Sequence, residues 1–101
     1  MLAVLLTVAR LATGEIFGDL RSGDQYLADV PVQLTCGTET VETKTDKAGS
    51  FRLRSKAPGK CSVQVTWKGQ SPSVEVVVFE KPTRYRLVVE EEKGKLVLNR
   101  V

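Results

Sequence analysis

The chain has no histidine. That absence removes Ser–His and Cys–His nucleophile pairs, imidazole bases and every histidine-based metal site. Cysteine is almost as scarce, with two in 101 residues. Two thiols cannot build a four-thiolate zinc site. Acid–base chemistry would fall to carboxylates, lysine or tyrosine alone. Aromatic residues make up 6% of the chain and are not interleaved with a basic stripe. Charge is nearly balanced: fifteen basic residues are scattered among twelve acidic ones, leaving +3 with no basic run. Nucleic-acid binding is therefore not expected.

Long apolar runs are missing too. The nearest to one, Met1-Leu-Ala-Val-Leu-Leu-Thr-Val-Ala9, stops at Arg10. It falls well short of the ~20 residues that span a bilayer as a helix. It resembles the apolar core of a secretory signal, with Thr7-Val-Ala9 as a loose small-residue cleavage site but no basic segment ahead of it. Residues 1–12 read as a signal-peptide remnant or a flexible N-terminal arm. A first strand of the mature domain is the competing reading. Residues 13–101 suit one domain with a modest core.

What the chain does contain is period-two alternation. Val30-Pro-Val-Gln-Leu-Thr-Cys36 and Cys61-Ser-Val-Gln-Val-Thr-Trp67 each alternate apolar and polar, the signature of a half-buried strand. Laid antiparallel with Cys36 opposite Cys61, they set Leu34 against Val63, Val32 against Val65 and Val30 against Trp67. All eight side chains then share one face, and a one-residue slip would turn one set away from the other. The register brings the two cysteines together and points to a cross-strand disulfide; two buried free thiols are the alternative. A bridge would imply an oxidising compartment. There is no Cys-x-x-Cys spacing to suggest redox work.

Further alternating segments cover 14–21, 40–45, 50–55, 73–80 and 83–91, and a last strand at 95–101 folds back through Lys93-Gly94. Gly37-Thr38 suits a two-residue hairpin loop. Pro58-Gly59 and Gly69-Gln-Ser-Pro72 break the pattern elsewhere. No segment sustains a helical period. The expected class is all-β, a sandwich or a barrel. The Thr45-Asp46-Lys47-Ala48-Gly49 corner fits either a hairpin loop or an arch between two sheets. In both, Asp46 bonds local amides and Gly49 takes a positive φ.

The punctuation follows a known order. Gly14-x-Ile16 precedes Leu27-Ala-Asp-Val30-Pro-Val32-Gln-Leu34. Thr43-Lys-Thr45-Asp46-Lys-Ala-Gly49-Ser-Phe51-Arg-Leu53 follows, then Pro58-Gly59-Lys-Cys61-Ser-Val63-Gln-Val65 and Lys68-Gly69. Over residues 14–79 this resembles the carboxypeptidase regulatory-like domains, relatives of the Cna B-type and transthyretin-like sandwiches. The resemblance implies a seven-stranded Greek-key β-sandwich, prealbumin-like, here with a C-terminal β-hairpin. It implies that the 61–68 strand neighbours 30–36, that 50–55 and 83–91 share a sheet, and that the Asp46–Gly49 corner is an arch. Cys61 departs from the pattern, standing where the family usually has an aromatic; a bridge to Cys36 would replace the lost packing. Some relatives form an isopeptide bond from a first-strand lysine, and 14–21 has no lysine. Related hydrolases rely on histidine. The resemblance therefore implies no enzyme, no cofactor and no metal site.

Candidate function falls to the outward faces. Arg52, Arg54 and Lys56 alternate outward on one strand and Arg84 and Arg86 on another, a basic face if both lie in one sheet. The competing reading is a solvated face paired with Glu15 and Asp19. Phe17 lies between those two acids and either stacks on a partner or packs under the C-terminal hairpin. Trp67 belongs to the core by parity, Glu90–Glu92 to a solvated hairpin tip, and Asp46 to turn capping. The expected function is a small exported, non-enzymatic module, secreted or periplasmic. It would give structural support or bind an unknown protein or an envelope polysaccharide. The alternative is a carbohydrate-binding module with Phe17 or Tyr26 as its platform.

Overall fold

The computed structural model describes residues 14–56 and 58–101. The signal-like segment expected at 1–12 lies outside the described residues. Nine strands follow in chain order: β1 (Gly14–Ser22), β2 (Gln25–Tyr26), β3 (Pro31–Cys36), β4 (Glu39–Lys44), β5 (Ser50–Ser55), β6 (Gly59–Val65), β7 (Ser73–Val78), β8 (Thr83–Glu92) and β9 (Lys95–Arg100). They form two sheets packed as a sandwich. One runs β4-β3-β6-β7; in the other, β1 sits between β8 on one side and β5 and β2 on the other, with β9 beyond β8. Among the described residues no helix is long and apolar enough to cross a membrane.

Alternation decides which side chains meet between the sheets. Ile16, Leu20, Phe51, Leu53, Leu87, Val89, Leu96 and Leu98 come from one sheet, and Val32, Leu34, Val63, Val65, Val76 and Val78 from the other. All are buried. Burying each such side chain removes enough apolar surface from water to stabilise the fold by ~1.5–3 kcal/mol before the entropy of ordering is counted.

The centre of the β4–β7 sheet follows the expected register. Val32 pairs with Val65 and Leu34 with Val63, and Cys36 and Cys61 are bridged with their Cα atoms 4.4 Å apart. We call this the disulfide sheet. A bridge in this position is compatible with an exported protein. The expected partnership fails only at its far end. Strand β6 ends at Val65, and the Thr66 amide just beyond it makes a last rung to the Pro31 carbonyl. Trp67 then exchanges both main-chain bonds with Gln70 in a tight turn, while still packing on the core. Val30 bonds to Thr45 instead of Trp67: its amide donates to Thr45 Oγ1, and its carbonyl accepts from the Thr45 amide.

The arch reading of the 45–49 corner holds, because β4 and β5 belong to different sheets. Asp46 Oδ1 accepts from the amides of Ala48 and Ser50, both at 2.9 Å. Gly49 has φ +78°, and a Cβ there would lie 2.8 Å from the Leu20 carbonyl oxygen. Both geometry and space restrict the position to glycine. Strands β6 and β3 are neighbours and β5 and β8 share a sheet, as the resemblance implied; the structure adds that both flank β1. The count rises from seven to nine. The terminal hairpin supplies β9, and the two-residue β2, which alternation is too short to reveal, pairs with the end of β1.

Candidate binding face

The second sheet turns a charged face to solvent. Its layout comes from strand order. Strand β1 pairs antiparallel with β5 and parallel with β8, so Phe17 and Asp19 each have a neighbour on both sides. Phe17 stands between Arg52 and Arg84. One step along, Asp19 lies opposite Ser50 and Arg86; one step back, Glu15 lies opposite Arg54. All five residues expected on a binding face, Arg52, Arg54, Arg84, Arg86 and Phe17, therefore share one surface. We call this the arginine sheet.

The acids sit low and the bases stand proud. Glu15 is salt-bridged to Arg52 and lies 3.8 Å from Arg54 Nη2. Asp19 lies 3.7 Å from Arg84 Nη2. The two carboxylate side chains are only 13% and 16% exposed, against 62%, 71% and 56% for Arg52, Arg54 and Arg84. Short Glu and Asp stems end close to the pleat, while arginine reaches past them. Arg86 makes no ion pair among the described residues. The pairing expected with Glu15 and Asp19 is thus present, yet solvent meets guanidinium rather than carboxylate. Exposed pairs of this kind contribute ~0–1 kcal/mol to stability, so the arrangement matters more for surface potential than for the fold.

Phe17 does not pack under the terminal hairpin. Strand β9 pairs with β8 from Leu87 onward, beyond the row that Phe17 occupies. Instead the Arg52 guanidinium covers the ring, 5.2 Å from its centroid, a cation–π contact. Tyr26 is exposed but pairs with Arg21, four residues along β1 from Phe17. The two rings do not form a row.

Beside Arg52 the surface dips into an open depression of about 500 Å³. Phe17, Asp19, Arg84, Lys44, Asp46 and Ser50 are among the residues that line it. Lys44 and Asp46 were not expected at this face. Lys44 ends β4 and Asp46 lies in the arch that follows it, and the crossing between sheets brings them beside Arg52. The outer face of the disulfide sheet differs in chemistry. Gln33 opposes Gln64, Thr35 opposes Ser62, and Gln33 donates to Glu42 Oε2 at 2.9 Å. Its middle is uncharged, with Glu42, Lys60 and Glu75 exposed around it.

No family model and no curated protein matches the chain. Among solved structures it is similar to a 3-chlorocatechol 1,2-dioxygenase from Rhodococcus opacus 1CP, with a TM-score of 0.53 and 16% identity. The alignment covers 96% of this chain and 64% of that one, so the chain spans under two thirds of the enzyme's length. The likeness is one of fold. It overturns the expectation that the chain is not an enzyme, because a sandwich of this form is carried by a dioxygenase. That expectation rested on a side-chain inventory. The missing histidine rules out particular catalytic groups, and it does not separate the fold from enzymes.

Proposed function

We propose that the chain is an exported β-sandwich module of the carboxypeptidase regulatory-like type that binds an acidic protein partner at the cell envelope. The outer face of the arginine sheet is the docking surface. One observation carries this reading: the guanidinium groups of Arg52, Arg54 and Arg84 are more than half exposed above carboxylates that are nearly covered. Such a surface offers positive charge to an approaching partner and steers it at long range. The disulfide supports export, since reducing compartments rarely keep one. A carbohydrate platform finds less support, because Arg52 already occupies the face of Phe17 and Tyr26 stands apart.

Poly-L-glutamate and polygalacturonate serve as probes, one a polypeptide and one a polysaccharide of like charge. Poly-L-glutamate should bind the whole chain at low salt and weaken as salt rises. The double substitution Arg52→Gln and Arg84→Gln should weaken it by about tenfold, since two charge-assisted contacts disappear. Unchanged affinity in that variant, or tighter binding of polygalacturonate than of poly-L-glutamate, would overturn the proposal.

A further inference from the structure

We infer that the outer edge of β5, unpaired among the described residues, accepts an extended acidic segment of the partner protein, which adds to the arginine sheet as a further strand through the main chain of Arg52 and Arg54. The inference rests on the acidic-partner reading above and gives it a binding mode.

The two flanks of the sandwich are finished differently. On the flank formed by β7 and β9, side chains from the opposite sheet occupy main-chain groups at the strand edges. The Tyr85 hydroxyl, from β8, donates to the Val77 carbonyl at 2.7 Å and accepts from the Val77 amide at 3.0 Å. The Gln70 side chain, from the β6–β7 loop, accepts from the Leu96 amide at 2.8 Å and donates to the Gly94 carbonyl at 3.1 Å. Each clamp occupies a site that an added strand would need.

On the β5 flank the bond from the Leu20 amide to the Gly49 carbonyl sets the phase of the ladder. Bonded and non-bonded pairs alternate in an antiparallel ladder. Phe51 and Leu53 therefore bond to Gly18 and Ile16, and Ser50, Arg52 and Arg54 turn their amides and carbonyls away from β1. Ser50 is already taken: its amide donates to Asp46 Oδ1 and its carbonyl accepts from the Asp46 amide. Lys56, next in the same phase, donates its amide to the Glu39 carboxylate at 3.0 and 3.2 Å. Arg52 and Arg54 stand between these two stops. Their outward main-chain groups have no partner among the described residues.

The window has the length and charge for one kind of occupant. Two residues of the same phase present four main-chain groups, which is the recognition pattern of strand addition. Side chains that alternate outward along the incoming strand recur every ~6.6 Å, the same spacing as Arg52 and Arg54. Carboxylates at those positions would meet the two guanidinium groups rung by rung, with the depression beside Arg52 and its Lys44 rim open to a third. Glu15, on β1, anchors both arginines on the outer face of the sheet that the added strand would extend. A basic or neutral strand would bring its side chains against these same cations without any such pairing.

The probe is the capped hexapeptide Glu-Val-Glu-Val-Glu-Val, titrated into the full 101-residue chain and followed by amide NMR. Two further versions carry N-methyl groups on alternate amides, one set each, which keeps the charge and removes donors from one edge at a time. The unmodified peptide should bind about tenfold more tightly than one of the methylated versions. The amides of Arg52 and Arg54 should shift and exchange more slowly, while those of Val77 and Leu96, already bonded, should not. Equal affinity for all three peptides with those two amides unmoved would overturn strand addition and leave acidic docking standing. No binding of any of the three would overturn both.

Discussion

The two sheets are held together by different means. The disulfide sheet is pinned covalently at one end of its central pair, where Cys36 meets Cys61. The middle of its outer face is uncharged, with Gln33, Gln64, Thr35 and Ser62 on the central strands. The arginine sheet has no covalent tie among the described residues. Its centre is the parallel pair β1–β8, brought so close that a Cβ on Gly18 would lie 1.7 Å from the Tyr85 carbonyl oxygen. Its outer face carries the charge. The sheet that displays arginines thus depends on backbone approach, and the sheet that displays amides depends on a bond. The charged face costs the fold little, because its ions remain in water and its core side is as apolar as that of its partner.

Removing the pin should have the largest effect. The bridge closes a separation of 25 residues, and a loop of that size stabilises the fold by ~3 kcal/mol, chiefly by restricting the unfolded chain. The double substitution Cys36→Ala and Cys61→Ala should lower the melting temperature by roughly 15 °C, at about 4–8 °C per kcal/mol for a domain of this size. Calorimetry checks this, and intact mass with and without reductant checks that the wild-type thiols are oxidised. A fall of only a degree or two would show that the disulfide sheet holds without its pin. The comparison between the sheets would then collapse.

The matching lesion in the other sheet is Gly18→Ala. One methyl group must displace the backbone of β8 at Tyr85 rather than the flexible end of a side chain. Overpacking of this kind costs about 2–3 kcal/mol. Native-state hydrogen exchange should locate the damage. Amides of β1 and β8 should lose protection before those of β3 and β6. Uniform loss across both sheets would show that the sandwich opens as one unit, and that the two modes of support are not separable.

Much of this contrast was legible in the sequence, for a physical reason. Alternation is a local signal, and a buried face exposes it plainly; Val32, Leu34, Val63 and Val65 fix register as well as strand identity because any slip exposes them. The two cysteines then follow. Parity likewise reveals that Arg52, Arg54, Arg84 and Arg86 point outward. It does not reveal which strands are neighbours. The row Arg52–Phe17–Arg84 needs β1 between β5 and β8, and alternation carries no information on order. The resemblance of the turn punctuation implies the shared sheet, and the row exists only in the folded chain. Lys44 and Asp46 reach the depression only through the arch, a tertiary crossing with no local periodicity. The expected Val30–Trp67 pair fails for a different reason, although Trp67 keeps its place against the core. Its parity is that of the core, but Lys68-Gly69 turns the chain before a ladder bond to Val30 can form. Strand β2 is two residues long, shorter than any period can show.

The smallest of the expected effects on stability tests where the two sheets join. Tyr85 belongs to the arginine sheet, but its hydroxyl bonds the amide and carbonyl of Val77 in the disulfide sheet. Tyr85→Phe keeps the ring and its packing and removes only the oxygen. The two main-chain groups of Val77 then face solvent, which can satisfy them in part, so the loss should be ~1 kcal/mol. The larger consequence is at the edge itself. Strand β7 carries Val74, Val76, Val77 and Val78 with Glu75 as its one charge, a composition that favours pairing with another strand once the edge is unguarded. The variant should sediment as a mixture of monomer and larger species at concentrations where the wild type remains a single species, with the Val77 amide protected only in the larger ones. A variant that loses ~1 kcal/mol of stability yet sediments like the wild type would show that the tyrosine joins the sheets without guarding the edge. One charge at Glu75 would then be enough to keep strand β7 apart from its copies.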